Sequence, residues 1–164
     1  MAFTKVTEII KVAPAFTQLT DLASEQLGGK VLYATDDFFA EKENLIKPTR
    51  GIFIADKYTD RGKWMDGWES RRKRTAGHDW CVVQLATLGS IAGFDIDTNF
   101  FLGNHPPHAA IEGINLSNPN AVSNWDALDW QEILPKSHLD AGSQNFYECH
   151  NNQLFTHIRL HIYP

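Results

Sequence analysis

The sequence predicts one all-β domain, a sandwich of short strands, and three observations carry that reading. From Trp80 onward, apolar runs are separated by Gly89, Gly103-Asn104, Pro106-Pro107, Asn118-Pro119, Pro135 and Asn151-Asn152. These residues punctuate a chain as turns and loops. Two of the runs alternate with period two, the mark of a strand with one buried face. No helical pattern lies between the runs, which favours a sandwich or barrel over a βαβ fold.

The elements follow in order. Phe16, Leu19, Leu22, Ala23 and Leu27 recur at three- and four-residue steps. They predict a short helical amino-terminal region stopped by Gly28-Gly29. Val31 to Ala34 reads as a strand and leads into a polar loop through Asp36 and Asp37. One helical turn is expected within 38–46, ended by Pro48. Later strands are expected at 80–86, 91–101, 109–116, 130–134, 144–149 and 155–163. In 94–100, Phe94, Ile96, Thr98 and Phe100 share one face, and Asp95, Asp97 and Asn99 share the other. In the last strand Thr156, Ile158, Leu160 and Ile162 point one way. Phe155, His157, Arg159, His161 and Tyr163 point the other. The apolar rows are expected in the core, and the polar rows form either a solvated face or the wall of a site.

Composition excludes several classes. The chain has 164 residues, the usual size of one domain, and a chain of that length buries roughly 70% of its unfolded surface without a staple. Its 43% apolar and 21% charged residues are those of a globular protein. A net charge of −5 argues against a nucleic-acid partner, because phosphate binding needs excess Lys and Arg. Two cysteines, Cys81 and Cys149, give no disulfide framework and point to a reducing, cytoplasmic setting. Residues 1–16 lack the basic-then-apolar order of a signal peptide. The longest uncharged stretch, 80–94, is too short to span a bilayer, so no membrane is expected.

Seven histidines invite a metal reading that their spacing weakens. His157 and His161 share a strand face, but four residues separate their backbones by about 13 Å, too far for one ion. His105 and His108 bracket Pro106-Pro107, whose extended form holds them about 9 Å apart. No metal and no other cofactor is expected. Nucleophilic catalysis lacks a signature too: there is no Gly-x-Ser-x-Gly elbow, and Cys81 sits among apolar residues. Gly28-Gly29-Lys30 lacks the spacing of a phosphate loop.

Residues 63–74 are the most unusual stretch, with two tryptophans, acids and clustered cations and no helix or strand period. Three readings fit: a solvated loop pinned by its tryptophans, a basic localisation or nucleic-acid segment, or a small-molecule site. In the third, Arg grips a carboxylate, acids accept from amide or ureido N–H groups, and Trp excludes water.

Longer blocks then become recognisable. They are Trp64-x-Asp66-Gly67-Trp68-Glu69-x-Arg71-Arg72, Asp79-Trp80, Gly93-Phe94-Asp95-Ile96-Asp97-Thr98-x-Phe100-Phe101-x-Gly103-Asn104-x-Pro106-Pro107 and Phe155-Thr156-His157-Ile158-Arg159-Leu160-x-Ile162-Tyr163-Pro164. With Leu27-Gly28-Gly29, Asp36-Asp37-Phe38-Phe39-Ala40 and Glu43-Asn44-Leu45-Ile46, in this order, the chain strongly resembles the allantoicase family. The resemblance implies a jelly-roll sandwich of the galactose-binding-like type, and hydrolysis of allantoate to ureidoglycolate and urea in purine degradation. Family members carry two such modules, so 1–164 is expected to be a single, amino-terminal one. A second module or a homo-oligomer is its expected partner, beside the small-molecule substrate.

The reaction needs a proton for the leaving nitrogen, an activated water and a grip on the carboxylate. Glu69, Asp66 and His157 are the candidate acids and bases. Arg71 or Arg72 is the candidate carboxylate grip, Asp97 and Asn104 are candidates for the ureido groups, Trp68 is a candidate wall, and Arg159 is a further substrate-binding candidate. Trp64 and Trp80 are expected in the core. Two rival readings remain: a non-catalytic ligand- or carbohydrate-binding sandwich, and a structural part of an allantoicase.

Overall fold

The last strand of the chain is the centre of its main sheet. A computed structural model describes residues 12–164; the stretch read as lacking a signal peptide lies, through residue 11, outside the described residues. The strands are β1 (Lys30–Ala34), β2 (Tyr58–Thr59), β3 (Gly62–Lys63), β4 (Asp79–Gly89), β5 (Gly93–Asp97), β6 (His108–Ile114), β7 (Gln131–His138), β8 (Gln144–Glu148) and β9 (Phe155–Tyr163). The main sheet runs β1-β4-β9-β6-β7 with antiparallel neighbours. β5 pairs with β8 as the second layer, and β2 with β3 as a small hairpin.

The period-two pattern explains the layering. On β9, Ile158 and Leu160 turn inward beside Val83 of β4 and Ile111 of β6, their register partners. These side chains meet Phe94 of β5, with Ile46 and Trp68 from the loops, in one apolar core. Cys81 is wholly buried there, and burial pushes its thiol up to about 12, so it is inert.

Several expectations need correction. The amino-terminal region holds two 3-10 turns, Ala15–Gln18 and Glu25–Leu27, in place of a regular helix. Local bonds compete with helix there: the Thr17 hydroxyl donates to Pro14 O at 2.7 Å, and Asp21 Oδ1 accepts from the Ala23 N–H at 3.1 Å. Leu19 and Leu27 are consequently exposed. The turn expected before Pro48 forms as Lys42–Ile46. β5 stops at Asp97, because the chain turns through Phe100 in the left-handed region at φ 66°. Phe100 therefore leaves the core row and stacks on Phe53, ring centres 5.6 Å apart.

β7 runs through Pro135, which is tolerated because β7 is an edge strand. Phe155, expected on the polar row, is buried in the core. The register with β4 slips between Gln84 and Gly89 and frees it from the alternation. Trp64 and Trp80, expected in the core, are only half-buried.

Phe155 fixes one neighbour. Gly113 faces the same side as Ile158, and a Cβ there would lie 2.6 Å from the Phe155 ring. Gly113→Ala is expected to destabilise the chain by about 1–3 kcal/mol through overpacking, read as a lower urea midpoint. Adding Phe155→Leu should recover part of the loss, and no loss in the single variant would contradict this packing.

Candidate functional site

Charged side chains collect in two places, on opposite sides of the main sheet. The first is a rim of loops at the end of the sandwich where β5 ends and β6 begins. A cavity of about 580 Å³ opens there between the layers. Val83, Ile111, Ile158 and Leu160 give it an apolar wall, and Lys47, Arg50, Asp66, Asp97 and Asn99 a polar one. Lys47 Nζ lies 2.9 Å from Asp66 Oδ1, and the Ile52 N–H donates to Asp66 Oδ2 at 2.8 Å. Arg50 forks onto Asp97 through Nε at 2.7 Å and Nη2 at 3.0 Å. That hydrogen bonding raises the guanidinium pKa further, so the pair stays charged. Asn99 donates its backbone N–H to Asp97 and its amide to Gly51 O at 2.8 Å.

The 64–72 segment lies along this rim because Glu69 bridges to Ala40 in antiparallel fashion. The Glu69 carboxylate accepts the Asn104 amide at 2.8 Å. Arg71 holds Asp36 by its backbone N–H at 2.6 Å, its Nε at 3.1 Å and its Nη2 at 2.9 Å. Burial alone would raise the Asp36 carboxyl, but these Arg71 contacts outweigh it and hold it below the usual range. Trp68 donates its indole N–H to Asp36 O at 2.8 Å while its ring lines the cavity. The Trp64 ring carries Lys57 at 4.0 Å and Lys47 at 5.8 Å. Arg72 is exposed and engaged by no described residue.

The second place is the outer face of the main sheet. His157, Arg159 and His161 point there from β9, and all three are buried. Arg159 lies between the rings of Trp80 and Trp130, 4.9 and 5.0 Å from their centres. It pairs with Glu112 and Asp126. His161 bonds Glu112 and lies 2.8 Å from His78.

The alternation that sends Ile158 and Leu160 inward sends His157 and Arg159 outward, so the predicted site residues divide. Asp66, Trp68 and Asp97 line the cavity; Glu69 with Asn104, and Arg71 with Asp36, pair outside that lining, Arg72 is exposed with no described partner, and His157 and Arg159 lie on the other face of the sheet. Sequence reasoning missed Lys47, Arg50, Asn99 and Asp36 on the rim, and Glu112, Asp126 and His78 outside. The turn-like Lys47-Pro48-Thr49-Arg50-Gly51, with two cations around Pro and Gly, held a usable signal. Among the described residues no three of His, Cys, Asp and Glu are grouped to hold a metal ion.

A family model described as "Allantoicase repeat" matches residues 20–164. The chain belongs to the allantoicase family. A probable allantoicase of Burkholderia mallei is 48% identical over 153 residues, covering 93% of this chain and 44% of the relative. The allantoicase of Dictyostelium discoideum is 45% identical over 154 residues, covering 93% and 42%. This allantoicase-family chain thus spans less than half the length of the curated relatives it matches. The crystal structure of an allantoicase from Saccharomyces cerevisiae superposes with TM-score 0.77 at 34% identity, covering 88% of this chain and 44% of that one. A carbohydrate-binding module from a family 31 glycoside hydrolase of Clostridium perfringens gives TM-score 0.57 at 15% identity, covering 92% and 86%. That likeness concerns the fold alone: a jelly-roll sandwich of the galactose-binding-like type.

The outer-face histidines make a pH prediction. Burial lowers the His157 pKa from its ordinary 6.5, and burial followed by repulsion from His161 lowers that of His78. The unfolded chain then binds more protons, so stability is full above 6.5 and declines as pH falls towards the lower folded values. Urea unfolding across this window should show that decline, and His157→Gln should make it shallower. An unchanged slope in the variant would contradict the assignment.

Proposed function

We propose that the chain serves an enzyme that hydrolyses allantoate to ureidoglycolate and urea, and that the rim around 64–72 is part of the substrate site. The observation that carries this reading is the family match across nearly the whole chain. The chemistry of the rim supports it. Allantoate carries a carboxylate and two ureido groups on one carbon, and the rim offers cations for the first and amide or carboxylate acceptors and donors for the second.

Arg72, exposed and unengaged, is the carboxylate grip, with charge-assisted bonds of about 1.5–3 kcal/mol each. Arg71 stays with Asp36 and positions the loop. Asp66 and Asp97, already held by Lys47 and Arg50, accept ureido N–H groups, and Trp68 keeps water from the apolar wall. Glu69 moves the proton, and Asn104 holds its carboxylate in place. Glu69 takes a proton from water, whose oxygen bonds to the central carbon. The carbon–nitrogen bond to one ureido group breaks, and the proton passes to that nitrogen, releasing urea. His157, across the sheet, takes no part in this step.

The relatives are more than twice as long as the matched region, which supports a second module, or a second copy of this chain, as the partner that completes the site. The two free cysteines support a reducing, cytoplasmic setting.

Urea release from allantoate tests the reading, in the chain alone and in a form joined to a second module. The chain alone should be slow and the joined form active; allantoate turnover by neither sinks the proposal. In the active form, Glu69→Gln should lower kcat by about 10²–10⁴-fold. Arg72→Ala should raise KM with little change in kcat, as expected for a contact made equally in ground and transition states. Unchanged kinetics in both variants would move the site off the rim.

A further inference from the structure

Large apolar side chains are left in solvent around the rim, where the core has no use for them. Every residue from 52 to 60 is exposed, and this arm carries Ile52, Phe53, Ile54 and Tyr58. The arm is tied at both ends. At its base the Ile52 N–H donates to Asp66 and Gly51 O accepts the Asn99 amide, both at 2.8 Å. Farther along, β2 and β3 form a hairpin, and the Trp64 N–H donates to Lys57 O at 3.0 Å.

The arm continues into a wider apolar surface. Phe53 stacks on Phe100, Arg61 Nη1 holds Asp37 O and Phe38 O, and Phe38 meets Phe39 edge to face. This surface borders the rim. The Phe39 N–H donates to Glu69 O at 3.1 Å, the Arg71 guanidinium lies 5.2 Å from the Phe38 ring, and Leu102, 70% exposed, stands two residues from Asn104. With Leu102 these are eight large apolar side chains, each at least 40% exposed. At roughly 100 Å² apiece they approach the ~800 Å² that one partner contributes to a standard interface. The largest apolar patch on a typical monomer is about 300–600 Å². A partner is therefore called for, and the charges on the arm say which. Asp56, Lys57, Asp60, Arg61 and Lys63 mix both signs. A membrane surface or a nucleic acid selects cations without acids. An apolar surface carrying both signs can complement itself, and self-complementarity is what a two-fold pairing requires.

We propose that the 52–63 arm, with Phe38, Phe39, Phe100 and Leu102, is a two-fold docking surface for a second copy of this chain. Apolar side chains of one arm cover those of the other, and the acids of each arm meet the cations of its partner. A copy seated there lies over the rim. The contact thus names the partner that the proposed function calls for, and only its part in catalysis rests on that reading. A pair of micromolar affinity is apart at the nanomolar dilution of a turnover assay, where the chain alone is slow.

The test is sedimentation velocity of the whole chain, without substrate, across about 1–200 µM. The chain should pass from monomer to dimer and stop there. Ile54→Asp and Leu102→Asp each put a charge at an exposed position and should weaken the pair about tenfold or more, with the circular-dichroism spectrum unchanged. Leu154→Asp, exposed outside this surface, should leave it intact. A chain that stays monomeric throughout overturns the proposal. Growth past the dimer marks a head-to-tail contact and overturns the two-fold surface, as does equal weakening by Leu154→Asp or none by the other two variants. Co-sedimentation of a monomeric chain with vesicles of phosphatidylcholine and phosphatidylserine, lost in Ile54→Asp, would assign the arm to a membrane and overturn it equally. Should Ile54→Asp fail to fold, Leu102→Asp decides. Allantoate turnover enters none of these readings, so failure of the contact and failure of the rim chemistry are told apart.

Discussion

Everything in this chain depends on β9 being paired on both sides. It lies between β4 and β6 and pairs with both from His157 to Ile162. With both edges closed, its side chains have only two directions, and the period-two sequence fills them with opposite chemistry. Ile158 and Leu160 make the core. His157, Arg159 and His161 are forced onto the far face and buried there as well, under loops from the β6–β7 connection. A buried charge without a partner costs several kcal/mol, so the fold must supply Glu112, Asp126 and the flanking indoles. The polar face is a consequence of the pairing.

The same sheet separates the two groups of reactive side chains. Two packed layers lie about 10 Å apart, and the cavity is on the inner side, between them. Loops that reach the rim therefore approach the cavity without meeting the outer face. Residues adjacent in an alternating strand, such as His157 and Ile158, end in different environments. Shared membership of one sequence block is no guide to a shared site.

The rim is held differently. Its carboxylates are mostly taken: Asp66 by Lys47, Asp97 by Arg50 and Asp36 by Arg71. Surface pairs of this sort contribute little to stability one by one, but they fix loops that have no sheet of their own. They also leave Arg72 and the Glu69–Asn104 pair as the groups with capacity for a ligand. The substrate site proposed for this chain rests on family membership and on this local chemistry together.

The sequence alone determined the bounds of the last strand, 155–163, and the faces of its residues 157–162, because alternation is a local property, and it made the burial of Cys81 legible. It also carried the family through long ordered blocks. It erred where non-local forces or local capping override pattern. The helix near Phe16 gave way to side-chain bonds from Thr17 and Asp21, β5 ended early at a left-handed Phe100, and a register slip moved Phe155 into the core. Pro135 stayed inside a strand since that strand is an edge. Site residues could be nominated by type, but only tertiary structure decided which met. Asp66 found Lys47 and Asp97 found Arg50 across 19 and 47 positions of chain, and Arg159 found Asp126 across 33. Such pairings follow from loop closure over a finished sandwich, and no sequence period encodes them.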